Sequence, residues 1–452
     1  MTARLAVLLL RREAAADRAV LALPVAAFAV VTALALTVFG GARFFFSVEG
    51  DSALFYEGLA ILAVTLLLIP LLTLCGAAAR LSARRRDRRL STLSLLGAPA
   101  GTVTAMTLLE STLLALTGTV LGVLGHLALA PLVGLVPFRG GPIGASQVLL
   151  GPLGTVACVL GLVVLAAASA LAGLRRVVVS PLGVRTRQQA PRASLLRALA
   201  FVLAMAAGLV MGQLMSVDGG TMGLAVGIVI TFGLTMAVLN LVGPLVLGVQ
   251  AKIQLRRYGG PKAAERLLAA RSVLDSPKAA WRQVGGVAMT SFAAVFAGVG
   301  LSMVQPTADG GPGGAAAVEE QILLTDIRTG VVLTLVISFV TVAASVAVNQ
   351  AADVLDRRDL FAALDRMGMP PRRVDVARTR AVMGPLTTVA LWSAGSAAIL
   401  ILPMASVSAV ADPITALTVA AGLAGGILLV RLALLATRPL LDRVMAGPVP
   451  TA

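Results

Sequence analysis

What most constrains this chain is a series of long apolar runs. About ten stretches near 20 residues carry almost no charge: roughly 18–40, 54–79, 102–133, 146–174, 196–215, 221–249, 283–304, 328–352, 380–403 and 413–437. A helix of about 20 apolar residues spans the hydrocarbon core of a bilayer. Lipid offers no partner for open backbone groups, so only helices and closed barrels can cross it. Barrel strands alternate apolar and polar residues over segments of about ten, and these runs do not alternate. The expected fold is an all-α polytopic membrane protein with about ten transmembrane helices.

Composition agrees. Only 13% of residues are charged and 58% are hydrophobic. A soluble domain needs about a quarter charged to cover its surface, so most of this surface is expected to meet lipid. The net charge of +16 would point to nucleic acid in a soluble protein. Here the basic residues cluster between apolar runs, which fits the positive-inside rule and membrane lipid as partner, with no nucleic acid. Cys75 and Cys158 both lie inside apolar runs, and His126 is the single histidine. That leaves no metal spacing and no catalytic constellation. No GxxxxGK[ST] phosphate loop occurs, so the chain is expected to be a non-catalytic subunit rather than its own ATPase.

Lys and Arg set the orientation. One set of loops holds Arg80 to Arg89, Arg175 to Arg197, Lys252 to Arg282 and Arg357 to Arg380; the opposite loops carry little positive charge. This asymmetry puts both termini of an inner-membrane protein in the cytoplasm. The run from Val20 to Phe39 exceeds a signal-peptide core and reads as a retained first span.

Two segments look alike. ARRRDRRLSTLSLLGAPAGTV at 83–103 and LDRRDLFAALDRMGMPPRRV at 355–374 align at an ungapped shift of 271. Arg86 then meets Arg357, Leu93 meets Leu364, Gly97 meets Gly368 and Pro99 meets Pro370. The implied order is a cytoplasmic amphipathic helix over 1–17, a four-helix repeat over 18–190, a two-helix connector over 191–250, a basic elbow over 251–282, a second four-helix repeat over 283–440 and a tail over 441–452. Parallel repeats of this kind are related by an axis along the membrane normal. Within each copy, arginines anchor the segment at anionic headgroups. Leu90, Leu93 and Leu96, and Phe361, Leu364 and Met367, fall at helical spacing. Gly97 and Gly368 stand where a left-handed cap would end each helix, and the prolines forbid continuation. Such helices are either surface connectors or docking elements for a soluble partner.

Among single residues, Glu110 falls about two turns into the third span and is a functional candidate, or a carboxylate at interface depth paired with an arginine. His126 and Asn240 are intramembrane polar candidates, the latter suited to an interhelical hydrogen bond. Gly118, Gly122 and Gly125 form a small-residue packing face, and Trp281 is expected at the membrane interface.

These motifs resemble the FtsX-like permease family, the membrane subunits of MacB, LolC and BceB type. The resemblance rests on RRRDRRLSTLSLLGAP from Arg84 to Pro99, on Glu110-Ser111, on the Gly118, Gly122 and Gly125 series, and on Arg175-Arg176 with Ser180-Pro181-Leu182-Gly183. In the second copy Ala381 replaces the glutamate and no glycine series follows. Ten spans are similar to two fused family units lacking the usual large external domain. The resemblance implies a permease subunit of an ABC transporter exporting or extracting a hydrophobic, amphipathic or peptide substrate. It also implies a separate cytoplasmic ATPase, in two copies, that binds ATP and magnesium, and two coupling helices near 84–97 and 355–368. The alternatives are a mechanical signal transmitter without transport, or an ATP-independent secondary transporter. Such transporters carry midplane charges, which are few here.

Overall fold

A computed structural model describes residues 18–49, 53–95, 100–178, 206, 220–257, 263–303, 315–401 and 413–446. The expected N-terminal helix over 1–17, most of the expected span over 196–215, Leu96, Gly97 and Pro99 lie outside the described residues. Among those described, the fold is helical apart from one two-residue hairpin. Eight of its helices are long and apolar enough to cross a bilayer. The chain divides into two compact units, residues 1–187 with 344–357, and 188–343 with 358–452.

In the first unit α1 spans Arg18–Phe46, α2 Ala53–Leu95 and α3 Ala100–Gly134. Strands β1 (Pro137–Phe138) and β2 (Gly141–Pro142) follow, then α4 (Ala145–Val148) and α5 (Pro152–Val178). Helix α1 packs on both α2 and α3, and α5 lies against the same two. Of the apolar window of α1, 56% is buried, against 11% for α5. Helix α1 is therefore the interior element, and α5 turns Leu153, Val156, Leu160 and Val164 outward, as a lipid-facing helix does. Between α3 and α5 the chain folds into a small cap. Arg139 and Gly140, at φ 53° and 78°, make a tight turn that joins the two short strands. Phe138 tucks its ring edge-on against Phe45 at 5.1 Å.

The expected separate helix over 84–97 does not appear. Helix α2 runs unbroken through that segment to Leu95. Between Gly76 and Gly97 the sequence holds no Pro or Gly, and it is rich in Ala, Arg and Leu, all strong helix formers that give no reason to stop.

The second unit contains α6 (Gly220–Arg257), α7 (Ala263–Asp275) and α8 (Pro277–Met303). Helix α9 (Ala315–Asp356) contributes its residues up to Ala343. Then come α10 (Arg358–Arg366), α11 (Pro371–Ile401), α12 (Pro413–Ala436) and α13 (Arg438–Ala446). The basic elbow expected over 251–282 is thus the end of α6, the whole of α7 and the start of α8. Helix α8 is the core of this unit, packed by α6, α11 and α12. Val284, Val287, Ala288 and Phe292 are all essentially inaccessible.

Trp281 is 5% exposed. Its ring fills a slot where Gly243 and Gly285 have no side chain. Its indole Nε1 donates to Asn240 Oδ1 at 2.7 Å. A buried indole needs such an acceptor, and the two glycines leave room for the ring.

Candidate coupling site

Helix α10 lies between two long helices and is built by its ends. Upstream, Arg357 closes α9: its backbone N–H reaches Asp353 O at 3.1 Å, and its guanidinium pairs with the Asp353 carboxylate at 3.1 Å. Downstream, Gly368 adopts φ 79°. Its N–H donates to Asp365 O at 2.8 Å, and Met369 N–H donates to Leu364 O at 3.0 Å. Those two bonds are a Schellman cap, which satisfies carbonyls a helix end would leave open. Pro371 then opens α11 at the first-turn position, where its missing N–H costs nothing.

The faces of α10 divide. Phe361 is 7% exposed and Leu364 half-buried, while Leu360 and Met367 are 51% and 74% exposed. The buried face packs on α13, whose Leu441 is fully buried. Of the apolar residues proposed from sequence for docking, Phe361 holds α10 to its own unit, and Met367 faces outward. Leu360 joins Met367 on the open side, and the sequence pattern did not single it out. Arg357 is half-exposed. In the first copy the side chains of Arg86, Leu90 and Leu93 lie outside the described residues.

The intramembrane candidates sit apart from this helix. Glu110 is half-buried and engaged with a partner. It stands ten residues into α3, which begins at Ala100. His126 is 2% exposed. Its Nδ1 lies 3.0 Å from Thr37 Oγ1, whose hydroxyl donates to Ala33 O at 2.8 Å. The pair ties α1 to α3, and Nε2 is buried without a partner among the described residues. Nearby, α1 and α3 meet at Gly118, Gly122 and Gly125, which face Phe28, Thr32 and Ala33. In the second unit, Gln250 Nε2 donates to Gly384 O at 3.0 Å and to the Thr388 hydroxyl, fastening α6 to α11. Sequence reasoning passed over Gln250, because nothing in a lone glutamine near a helix end marks its partner.

The fold defines a class: a polytopic helical membrane protein. Residues 75–182 match the family model for the FtsX-like permease C-terminal region. That stretch covers the end of α2, the glycine face of α3 and all of α5. That match supports a membrane permease component of an ABC-type system. A search of curated proteins finds no match.

Proposed function

We propose that this chain couples ATP hydrolysis in a separate cytoplasmic ATPase to export or extraction of a hydrophobic, amphipathic or peptide substrate. The ATPase, in two copies, holds the ATP and magnesium, and the permease holds no cofactor. The observation that carries this reading is α10: a short, capped helix between two spans, rooted by Phe361 and presenting Leu360 and Met367 outward among arginines. A rigid helix with an apolar outer face fits a groove on a soluble partner. The arginine bias of the same loops supports an inner-membrane location with both termini in the cytoplasm.

The membrane bundle supports substrate handling within lipid or mechanical transmission more than a wide aqueous pore. The buried hydroxyls of both units mostly bond carbonyls of their own helix, and a few polar pairs such as Thr290–Ser338 and Trp281–Asn240 join two helices.

Co-purification with candidate ATPases tests the reading. Leu360→Asp with Met367→Asp is expected to reduce ATPase association at least tenfold, the cost of burying an unpaired carboxylate at an apolar contact. The half-buried Leu364 serves as a second site. Unchanged association and unchanged ATPase stimulation in the double variant refute docking through α10.

A further inference from the structure

The arginine-rich end of the second unit contains a charge cluster that docking through α10 does not use. Asp375 lies in the first turns of α11, and its side chain is 13% exposed. One of its oxygens accepts from Arg378 Nη2 at 3.0 Å, on the same helix. The other pairs with Arg438 Nε at 2.7 Å, on α13. Arg378, with a side chain 6% exposed, also directs Nη2 to Leu434 O at 3.4 Å. That carbonyl lies in the last turn of α12 and also accepts the Thr437 hydroxyl at 2.7 Å. A helix C-terminus carries partial negative charge on its open carbonyls, so a guanidinium is well placed there.

These contacts close a ring. Helix α10 continues through the Gly368 turn into α11. Asp375 and Arg378 join α11 to the end of α12 and to α13, and α13 covers the buried face of α10. We propose that Asp375 and Arg438 clamp this ring, so that α10, the base of α11, the end of α12 and α13 move as one lever. A displacement applied at α10 then reaches the last two spans together. This rests on the coupling role proposed above for its direction of use, while the clamp itself rests on the three contacts.

The geometry favours a clamp over a surface ion pair. Exposed pairs contribute little, because water competes for both charges. Asp375 is largely shielded, and each of its oxygens is engaged by a different element. Arg438 is half-exposed, at 51%, so it can be removed without stranding a buried charge. Removing Asp375 would leave Arg378 buried without a counter-charge, which is strongly destabilising. Arg438 is therefore the position that separates a positioning role from folding.

The test uses the full chain in lipid nanodiscs, with Cys75→Ala and Cys158→Ala as background. Spin labels at Leu360→Cys on α10 and Asp442→Cys on α13 report the lever directly, since both positions are exposed. The parent is expected to give one narrow distance distribution. Arg438→Ala broadens it, and Arg438→Lys, which keeps the charge, restores most of the narrow population. In parallel, Arg438→Ala binds the ATPase as the parent does, but its stimulation of ATP hydrolysis falls about fivefold, within the range for disrupting a coupling contact. An unchanged distance distribution in Arg438→Ala overturns the clamp. So does full stimulation with broadened distances. If the parent recruits no ATPase while the spin-label result holds, the clamp stands and the coupling role fails.

Discussion

Replacing Gly122 with alanine tests the packing of the first unit where the structure leaves no freedom. A β-carbon built at Gly122 lies 2.6 Å from Ala29 O and 2.5 Å from Thr32 Cβ. At Gly118 the same atom lies 2.8 Å from Val25 O and 2.5 Å from Phe28 Cβ. In both cases the obstacle includes backbone of α1, so no rotamer change relieves it and α1 must move as a body. Overpacking of this kind costs about 1–3 kcal/mol. The intrinsic gain from alanine in a helix, about 1 kcal/mol, offsets part of it. Gly161→Ala on α5 is the matched control, because a β-carbon there meets nothing within 4 Å. It keeps the intrinsic gain and pays no overpacking. The two variants should therefore differ by about 2 kcal/mol, close to a thirtyfold change in the ratio of folded to unfolded protein. Retention of monodisperse protein in detergent after a temperature ramp, read by size-exclusion chromatography, measures the order. Equal midpoints for Gly122→Ala and Gly161→Ala would refute the view that α1 and α3 are in backbone contact along this face.

Two further outcomes follow from the second unit. Trp281→Ala empties the slot beside Gly243 and should cost about 3–5 kcal/mol, while Asn240→Ala leaves the indole N–H unpaired at about 1–3 kcal/mol; the same heating assay ranks them, and parity between the two would contradict the buried position of the ring. Gly368→Ala forces a side chain into left-handed backbone at about 1–2 kcal/mol; limited trypsin digestion should then cut faster after Arg366 or Arg372 than in the parent, and an unchanged rate would mean that the cap does not hold the end of α10.

Much of the architecture is legible in the order of the residues, because lipid imposes so narrow a rule. A backbone that cannot reach water must satisfy itself, so the apolar runs predict helices and their approximate places. The turn at Gly368 is legible for a related reason: glycine followed by Pro370 and Pro371 allows few other conformations. Gly118, Gly122 and Gly125 mark a packing face at helical spacing without naming what lies against it.

Other features depend on packing between segments far apart in sequence. Neither member of the internal repeat contains a Pro or Gly within its basic helix, yet α2 continues through the first copy and the chain breaks at Arg357 in the second. The second copy packs on α13, with Phe361 buried. The chain order gives no sign that the Trp281 ring packs where Gly243 and Gly285 lack side chains. Asp375, Arg378 and Arg438 read along the chain as part of a solvated basic run, since charge in a sequence carries no record of its partners. The sequence determined that this protein is a bundle of membrane helices with arginine-rich connections, because the solvent dictates that answer segment by segment. Only the tertiary structure decided which helix is interior, which face of α10 is open and which carboxylate ties two elements together, because each depends on distances between residues that the chain order leaves unconstrained.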